Sequence, residues 1–336
     1  MKKLLIIGGT RFIGRNLIET LLQLGVYDIT LFNRGITNPT LFPSVKKIKG
    51  DRFLLKDVVK FCKQDWDCII DISGYWPVAL EQQLKNQIGK VGRYIYISTS
   101  SHYQFDLTNP HLLKEEETIV PCSTVQKNSN DKSHYNQQKA ECERILQQQK
   151  GLDFIILRPG LVIGKYDYTD RLYYWFYKAY QQQEILVANR GEQIISYSDV
   201  NDLVRIIVQS IDAKNSYSIY NTSSFTASIA DFINLAAHHL NKEVVLISAT
   251  SAFLEKNEIQ QWVDLPLWVD GNFLVTDNTR LTKDYHFKSS NIEQSIVDLL
   301  AYYSTIKNWK PPILTPPPLS ESKEKELITK LKNKFK

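Results

Sequence analysis

A tyrosine followed four residues later by a lysine can work as an acid/base pair when both lie on one helix face. A nearby ammonium favours the phenolate of a group whose unperturbed pKa is about 10. In this Tyr-rich chain the spacing occurs at Tyr135/Lys139, Tyr174/Lys178 and Tyr303/Lys307. Position selects among them. Only Tyr135 opens a helical segment that lies between a strand ending at Ser98-Thr99 and a strand ending at Arg158-Pro159. The other two pairs read as surface and packing residues.

A second constellation opens the chain: Gly8-Gly9-Thr10-Arg11-Phe12-Ile13-Gly14. It follows the apolar run Leu4 to Ile7, and Phe12 to Leu24 continues with helical periodicity. Gly8 permits a tight turn, Gly14 lets the helix pack closely, and the helix N-terminus offers N–H groups and positive dipole to a pyrophosphate. The expected cofactor contacts are Gly8, Thr10, Arg11, Phe12, Ile13 and Gly14. Arg11 stands where a middle glycine would approach the phosphates, so a cation is expected to meet them instead. The second strand ends Phe32-Asn33-Arg34-Gly35, without the acid that holds a ribose 2′-hydroxyl. Arg34 can pair bidentately with a 2′-phosphate, so NADP is favoured, with NAD the alternative. Asp51 is placed to accept from the adenine amino group. Asn33, Arg52, Ser73, Gly74 and Pro159, at or just after strand ends, complete the expected cofactor site.

The elements needed to hold these groups follow from the periodicity. Expected strands are Leu4 to Ile7, Asp28 to Asn33, Val45 to Ile48, Cys68 to Ile72, Tyr94 to Ser98 and Phe154 to Leu157. Helices are expected at Phe12 to Leu24, Leu55 to Cys62 and Asn136 to Gln149. Such alternation predicts an α/β protein with a Rossmann, doubly wound parallel sheet. After Arg158 the pattern loosens: an aromatic helix (Leu172 to Tyr180), a strand near Ile194 to Tyr197, a helix opened by Asp199 or Asp202, a strand at Ser218 to Asn221 and a helix from Ser228. The expected division is a Rossmann domain over 1–165, a smaller substrate lobe with returning Rossmann elements over 166–319, and a basic helix over 320–336. Pro311-Pro312 and Pro316 to Pro318 cannot lie inside a helix and mark the route to that last segment.

The glycine turn, Ser98-Thr99-Ser100-Ser101-His102-Tyr103, Tyr135-Asn136-Gln137-Gln138-Lys139 and Arg158-Pro159-Gly160 together resemble the extended and atypical short-chain dehydrogenase/reductase superfamily. More narrowly the chain resembles bacterial NAD-dependent epimerase/dehydratase family proteins, and the similarity runs through Trp262 to Trp268 and Asp277-Asn278. The resemblance implies an NAD(P)-dependent oxidoreductase or epimerase acting on a hydroxyl or carbonyl of a sugar-like or other polar small molecule. Tyr135 would move the proton, Lys139 would hold the nicotinamide ribose and assist Tyr135, and Thr99 would hydrogen-bond the reacting oxygen. Two departures narrow the substrate. Ser100-Ser101 replaces the Asp-Glu pair of 4,6-dehydratases, which disfavours elimination. Leu161 and Ile195 stand where nucleotide-sugar epimerases carry an Asn and an Arg for the substrate diphosphate. The rival reading is a binding protein, because atypical members include chloroplast stem-loop RNA-binding proteins and cofactor-sensing regulators.

Composition bounds the alternatives. The net charge is +5, from 41 basic and 36 acidic residues, and the segment from Ser320 onward holds six Lys against three Glu. The remainder is near neutral, so nucleic acid is an unlikely general partner, and the tail reads as a solvated amphipathic helix capped by Ser320. The run after Met1-Lys2-Lys3 is cut by Gly8-Gly9 before reaching the length of a secretory core, and no apolar run suits a membrane span. A soluble, cytoplasmic protein is expected. Cys62, Cys68, Cys122 and Cys142 lack metal or disulfide spacing, and adjacent His238 and His239 diverge on a helix, so no metal is expected. A homodimer is the family habit.

Overall fold

The computed structural model describes residues 1–104, 110–270 and 274–333. The strands are β1 (Lys2–Ile7), β2 (Tyr27–Asn33), β3 (Lys46–Lys49), β4 (Trp66–Asp71), β5 (Val91–Ile97), β6 (Phe154–Arg158), β7 (Leu161–Ile163), β8 (Glu184–Ala188), β9 (Ile195–Asp199), β10 (Ile219–Asn221), β11 (Phe225–Ala227) and β12 (Val245–Ala249). The helices are α1 (Phe12–Leu24), α2 (Leu55–Cys62), α3 (Pro77–Lys85), α4 (Thr124–Lys127), α5 (Tyr135–Gln147), α6 (Arg171–Gln181), α7 (Val200–Ser210), α8 (Ile229–His239), α9 (Ser251–Lys256), α10 (Thr279–Tyr285), α11 (Ile292–Tyr302) and α12 (Glu321–Asn333).

Seven strands form one sheet in the order β10-β6-β5-β4-β1-β2-β3, with parallel pairing throughout. Leu4 to Ile7 are buried because helices cover both faces of β1, which is why this strand reads as an unbroken apolar run rather than an alternating one. The edge strand β3, Lys46-Lys47-Ile48-Lys49, is lysine-rich and mostly exposed, a composition that discourages pairing with another sheet. Helix α1 ends at Gly25, whose left-handed φ of 67° lets its N–H reach the Leu21 carbonyl. Strand order reverses between β1 and β4, so the crevice at their carboxyl ends is where such a sheet binds ligands. The glycine turn leaves β1 there, and Ser73-Gly74 leaves β4 beside it.

The second lobe grows from the same edge. It contains a three-stranded sheet, β11-β9-β7, and a parallel pair, β12-β8. Its core is aromatic, with Tyr173, Trp175, Phe176, Tyr197 and Phe232 buried around Ile185 and Leu186. Helix α7, capped by the Asp199 carboxylate at the Asn201 N–H, returns to pack on the first core together with β10. Helix α8 opens on a capping box between Ser228 and Asp231. The chain folds α3, β8 and β12 beyond the elements expected from periodicity. Short β8 and β12 became strands because their neighbours in space, not in sequence, supply the pairing.

The C-terminal helix α12 corrects the expectation of a solvated tail. Leu327, Ile328 and Leu331 are buried against the second lobe, and buried Glu324 pairs with Lys178 of α6 and accepts the Leu186 N–H at 3.1 Å. Its lysines face outward, but Lys330 pairs with Glu326 and Lys332 with Glu184. Among the described residues no helix is long and apolar enough to cross a membrane.

Candidate active site

The glycine turn has the shape a pyrophosphate requires. Gly8 and Gly9 adopt φ of 111° and 100°, where a side chain would be strained. A Cβ on Gly14 would stand 2.6 Å from the Gly9 Cα, so only glycine brings α1 this close to the turn. Arg11 is the N-cap of α1 without a side-chain cap bond, and the first turn carries no acid. The N-terminal N–H groups and dipole are therefore left for an anion. Thr10 is buried, and its carbonyl accepts the Asn38 side chain at 2.9 Å, which pins the turn from outside. Phe12 and Ile13 are half-buried against the first core. The Arg11 guanidinium lies 3.8 Å from the centre of the Tyr168 ring.

The other expected cofactor residues divide into two groups. Asn33 spans the end of β2 by donating to the Gly8 carbonyl at 3.2 Å and accepting the Gly35 N–H at 2.9 Å. Arg34 next to it is exposed. Asp51 caps the Phe53 N–H at 3.0 Å and stays partly exposed. Ser73 donates to the Ile7 carbonyl at 3.2 Å, tying the β4 exit to the β1 exit. The Gly74 carbonyl accepts from Tyr96 at 2.6 Å and from Lys139 at 2.9 Å. The Pro159 carbonyl receives the Ser100 N–H at 2.8 Å. Arg52 corrects its expectation: its guanidinium is buried and forked onto Asp71, at 2.9 and 3.1 Å, so its planar face is committed to holding the end of β4.

Burial dominates the Tyr135 phenol and lifts it to about 12, with the Thr99 hydroxyl acting in the opposite direction. Thr99 Oγ1 also sits 2.8 Å from Ser101 Oγ, which donates to Asn136 at 2.8 Å. Lys139 behaves differently from the expectation that its charge activates the phenol. Its ammonium donates to the Gly74 and Ile97 carbonyls and lies 4.4 Å over the Tyr96 ring, and burial pushes it down to about 8. The cation whose charge lowers Tyr135 is Arg171.

Behind this pair lies a buried network whose members, His102, Tyr103 and Arg158 apart, the motif spacing does not single out. Glu143, one helical turn beyond Lys139 on α5, accepts Arg158 through both oxygens and meets His102 Nε2 at 2.7 Å. Burial alone would raise the Glu143 carboxyl, but His102 and Arg158 hold it well below the usual carboxylate range. Arg158 continues to the Tyr103 hydroxyl at 2.9 Å, and Tyr103 to Asn221 at 2.7 Å. The network locks α5 to β6 and β10, so the rotation of Tyr135 and Lys139 toward the crevice is set from below. An acid four residues after Lys139 was the available signal. The rivals to the Tyr135 pair sit elsewhere: Tyr174 and Tyr303 are buried, Lys178 is bound to Glu324, and Lys307 to Asp170.

With this geometry in view, the chain belongs to the NAD dependent epimerase/dehydratase family, whose model matches residues 4–222. Among solved structures it is similar to UDP-glucuronic acid 4-epimerase from Bacillus cereus in complex with NAD: 16% identity, 92% of this chain and 100% of that chain, TM-score 0.69. It is similar as well to UDP-glucose 4-epimerase from Thermotoga maritima with UDP-glucose, at 15% identity over 92% of this chain and 100% of that chain, TM-score 0.70. A dTDP-glucose 4,6-dehydratase from Bacillus anthracis in complex with NAD matches 94% of this chain and 99% of its own, at 15% identity and a TM-score of 0.67. At such identities the likeness establishes the fold. A curated relative, the chloroplast stem-loop binding protein of 41 kDa b from Arabidopsis thaliana, is 29% identical over 238 residues, which is 66% of this chain and 58% of that protein. The chain thus spans under two thirds of that relative.

Proposed function

We propose that the protein is a nicotinamide-dinucleotide-dependent epimerase or reductase that moves a hydride and a proton at a hydroxyl or carbonyl of a polar small molecule. The observation that carries this reading is Thr99 near the Tyr135 phenol beside an α1 N-terminus that has neither a side-chain cap nor an acid in its first turn. The turn and the α1 N-terminus would hold the pyrophosphate, and Lys139 together with the Gly74 region would hold the nicotinamide ribose. When bound, the dinucleotide supplies or accepts the hydride. Thr99 and Tyr135 both address the substrate oxygen. A phenol held near 12 is protonated at neutral pH, so Tyr135 is set to donate its proton to a carbonyl oxygen whenever the substrate is reduced. Ser100 and Ser101 offer no carboxylate for elimination, which argues against dehydration.

The choice of dinucleotide rests on Arg34, exposed where β2 ends and Asn33 replaces an acid. This favours NADP, although two of the similar solved structures named above are complexes with NAD. Calorimetric titration of both dinucleotides into wild type and Arg34→Ala decides it: equal wild-type affinities, or an unchanged ratio in the variant, would remove the preference. A substrate screen following nicotinamide absorbance tests the reaction itself. The stem-loop-binding relative supports a second reading, RNA binding, for which the exposed lysines of α12 are the candidate surface. RNA affinity at moderate salt, compared between wild type and a Lys325→Glu/Lys330→Glu double variant, separates the two readings.

A further inference from the structure

The loop that follows β7 crosses the mouth of the crevice and places aromatic rings on the cations of the glycine turn. Tyr166 lies over Arg15, with 3.6 Å between guanidinium and ring centre, and Tyr168 over Arg11. The Asn16 side chain donates to the Lys165 carbonyl at 3.0 Å and fastens the loop to α1. The loop then runs into Arg171, the first residue of α6.

Arg171 is half-buried, and its Nε donates to Thr169 Oγ1 at 3.1 Å. Its guanidinium lies 5.0 Å from the ring centre of Trp262, itself 40% exposed. The nearby acid, Asp167, is occupied by the Thr169 N–H and hydroxyl at 2.9 and 2.8 Å. Among the described residues Arg171 has no carboxylate within ion-pair distance, so its outer N–H fork is free. The neighbouring wall is uncharged: Ile195, Tyr197 and Trp268 line a cavity there, and the buried Trp268 indole N–H finds no acceptor among the described residues. The charge of Arg171 is felt by the phenols of both Tyr135 and Tyr197, lowering each against the rise that burial causes. A guanidinium backed by an indole and lacking a protein anion is built to take a planar or tetrahedral anion from a ligand.

We infer that Arg171 is the anion anchor of the substrate cleft, and that the molecule presented to Thr99 and Tyr135 carries a carboxylate or phosphate bound on the Arg171–Trp262 face. The inference rests on the reading of Tyr135 as the proton-transfer residue and adds the charge of its substrate. The probes are glucuronate, glucose 6-phosphate and neutral glucose, titrated calorimetrically into protein saturated with its preferred dinucleotide. At least one anionic probe is expected to bind about tenfold or more tightly than glucose, and the better of the two identifies the carboxylate or the phosphate as the anion. Arg171→Gln should remove about tenfold of that affinity and leave glucose and dinucleotide binding unchanged, and Arg171→Lys should restore part of it. Anionic probes that bind no better than glucose, or an Arg171→Gln protein with wild-type anion affinity, overturn the anchor. Failure of the underlying reading looks different: Tyr135→Phe then keeps its turnover whatever Arg171→Gln does to anion binding.

Discussion

Helices α5 and α6 both carry a tyrosine with a lysine four residues on, and the two pairs meet opposite fates. On α5, Tyr135 finds Thr99, and Lys139 is drawn under the crevice by the Gly74 and Ile97 carbonyls. On α6, the Tyr174 hydroxyl is buried with no partner among the described residues, and Lys178 closes on Glu324 of α12. Spacing is common to both, so it cannot be what makes a site. What differs is what each helix faces. Helix α5 covers the carboxyl ends of β4 and β5, where loops open to solvent and a ligand can enter. Beyond its first residue, helix α6 faces an aromatic core, where Lys178 serves to fix packing.

The contrast is broken most severely at Tyr135. Tyr135→Phe keeps the ring against Tyr75, 5.8 Å away between centres, and removes the hydroxyl proposed to move the proton. Turnover on the substrate found by screening should fall roughly 10²- to 10⁴-fold, with dinucleotide affinity nearly unchanged. Wild-type turnover would show that α5 is no more catalytic than α6.

A smaller but substantial effect belongs to α6. Glu324→Ala leaves the Lys178 ammonium buried without its counter-charge and the Leu186 N–H without its acceptor. A loss of about 3–5 kcal/mol in unfolding free energy is expected from denaturant titration. A loss below about 1 kcal/mol, the range of exposed surface pairs, would mean that α12 is not docked as described.

Lys139 gives a pH signature. Its folded pKa of about 8 lies below the unfolded value of 10.5. Below pH 8 both states hold the proton, and the penalty of burying the charge is fully present. Between about 8 and 10.5 the unfolded chain binds the proton and the folded chain does not, so this residue's contribution to stability rises with pH. Melting midpoints of wild type and Lys139→Met should therefore converge toward, or diverge in favour of, wild type as pH rises across that window. Parallel curves would show that the ammonium is not desolvated.

The smallest effect is expected at Tyr174. Removing an unpartnered buried hydroxyl as Tyr174→Phe should leave the midpoint unchanged or raise stability by up to about 1 kcal/mol, with turnover intact. A clear loss of either would reveal a partner or a role for that hydroxyl.

Continuous apolar runs and the glycine turn made the Rossmann half readable from the chain alone. The burial of a parallel strand on both faces and the steric demand of Gly14 against Gly9 are local requirements that leave local marks. The helix Leu55–Cys62 and the cap at Ser228 were legible for the same reason, and of the two acids expected to open α7, Asp199 and Asp202, the cap is Asp199. The second lobe was less so. Strands β8 and β12 pair with each other across the lobe, and the amphipathic pattern of α12 states that a face is apolar without saying what covers it.

The sequence by itself determined the family, the sheet that bears the site, and the residue types available there, because backbone geometry and burial constrain each position through its near neighbours. Only the tertiary structure decided what each charged side chain is used for. Arg52 is bound to Asp71, Lys139 gives two of its N–H donors to backbone carbonyls, and Arg158 is bound to Glu143, whereas Arg171 beside Trp262 meets no carboxylate among the described residues. A guanidinium or an ammonium reaches several ångströms and takes whichever partner the fold brings within that reach. Such partners lie 15 to 65 residues away along the chain, at separations over which no spacing rule in the sequence operates.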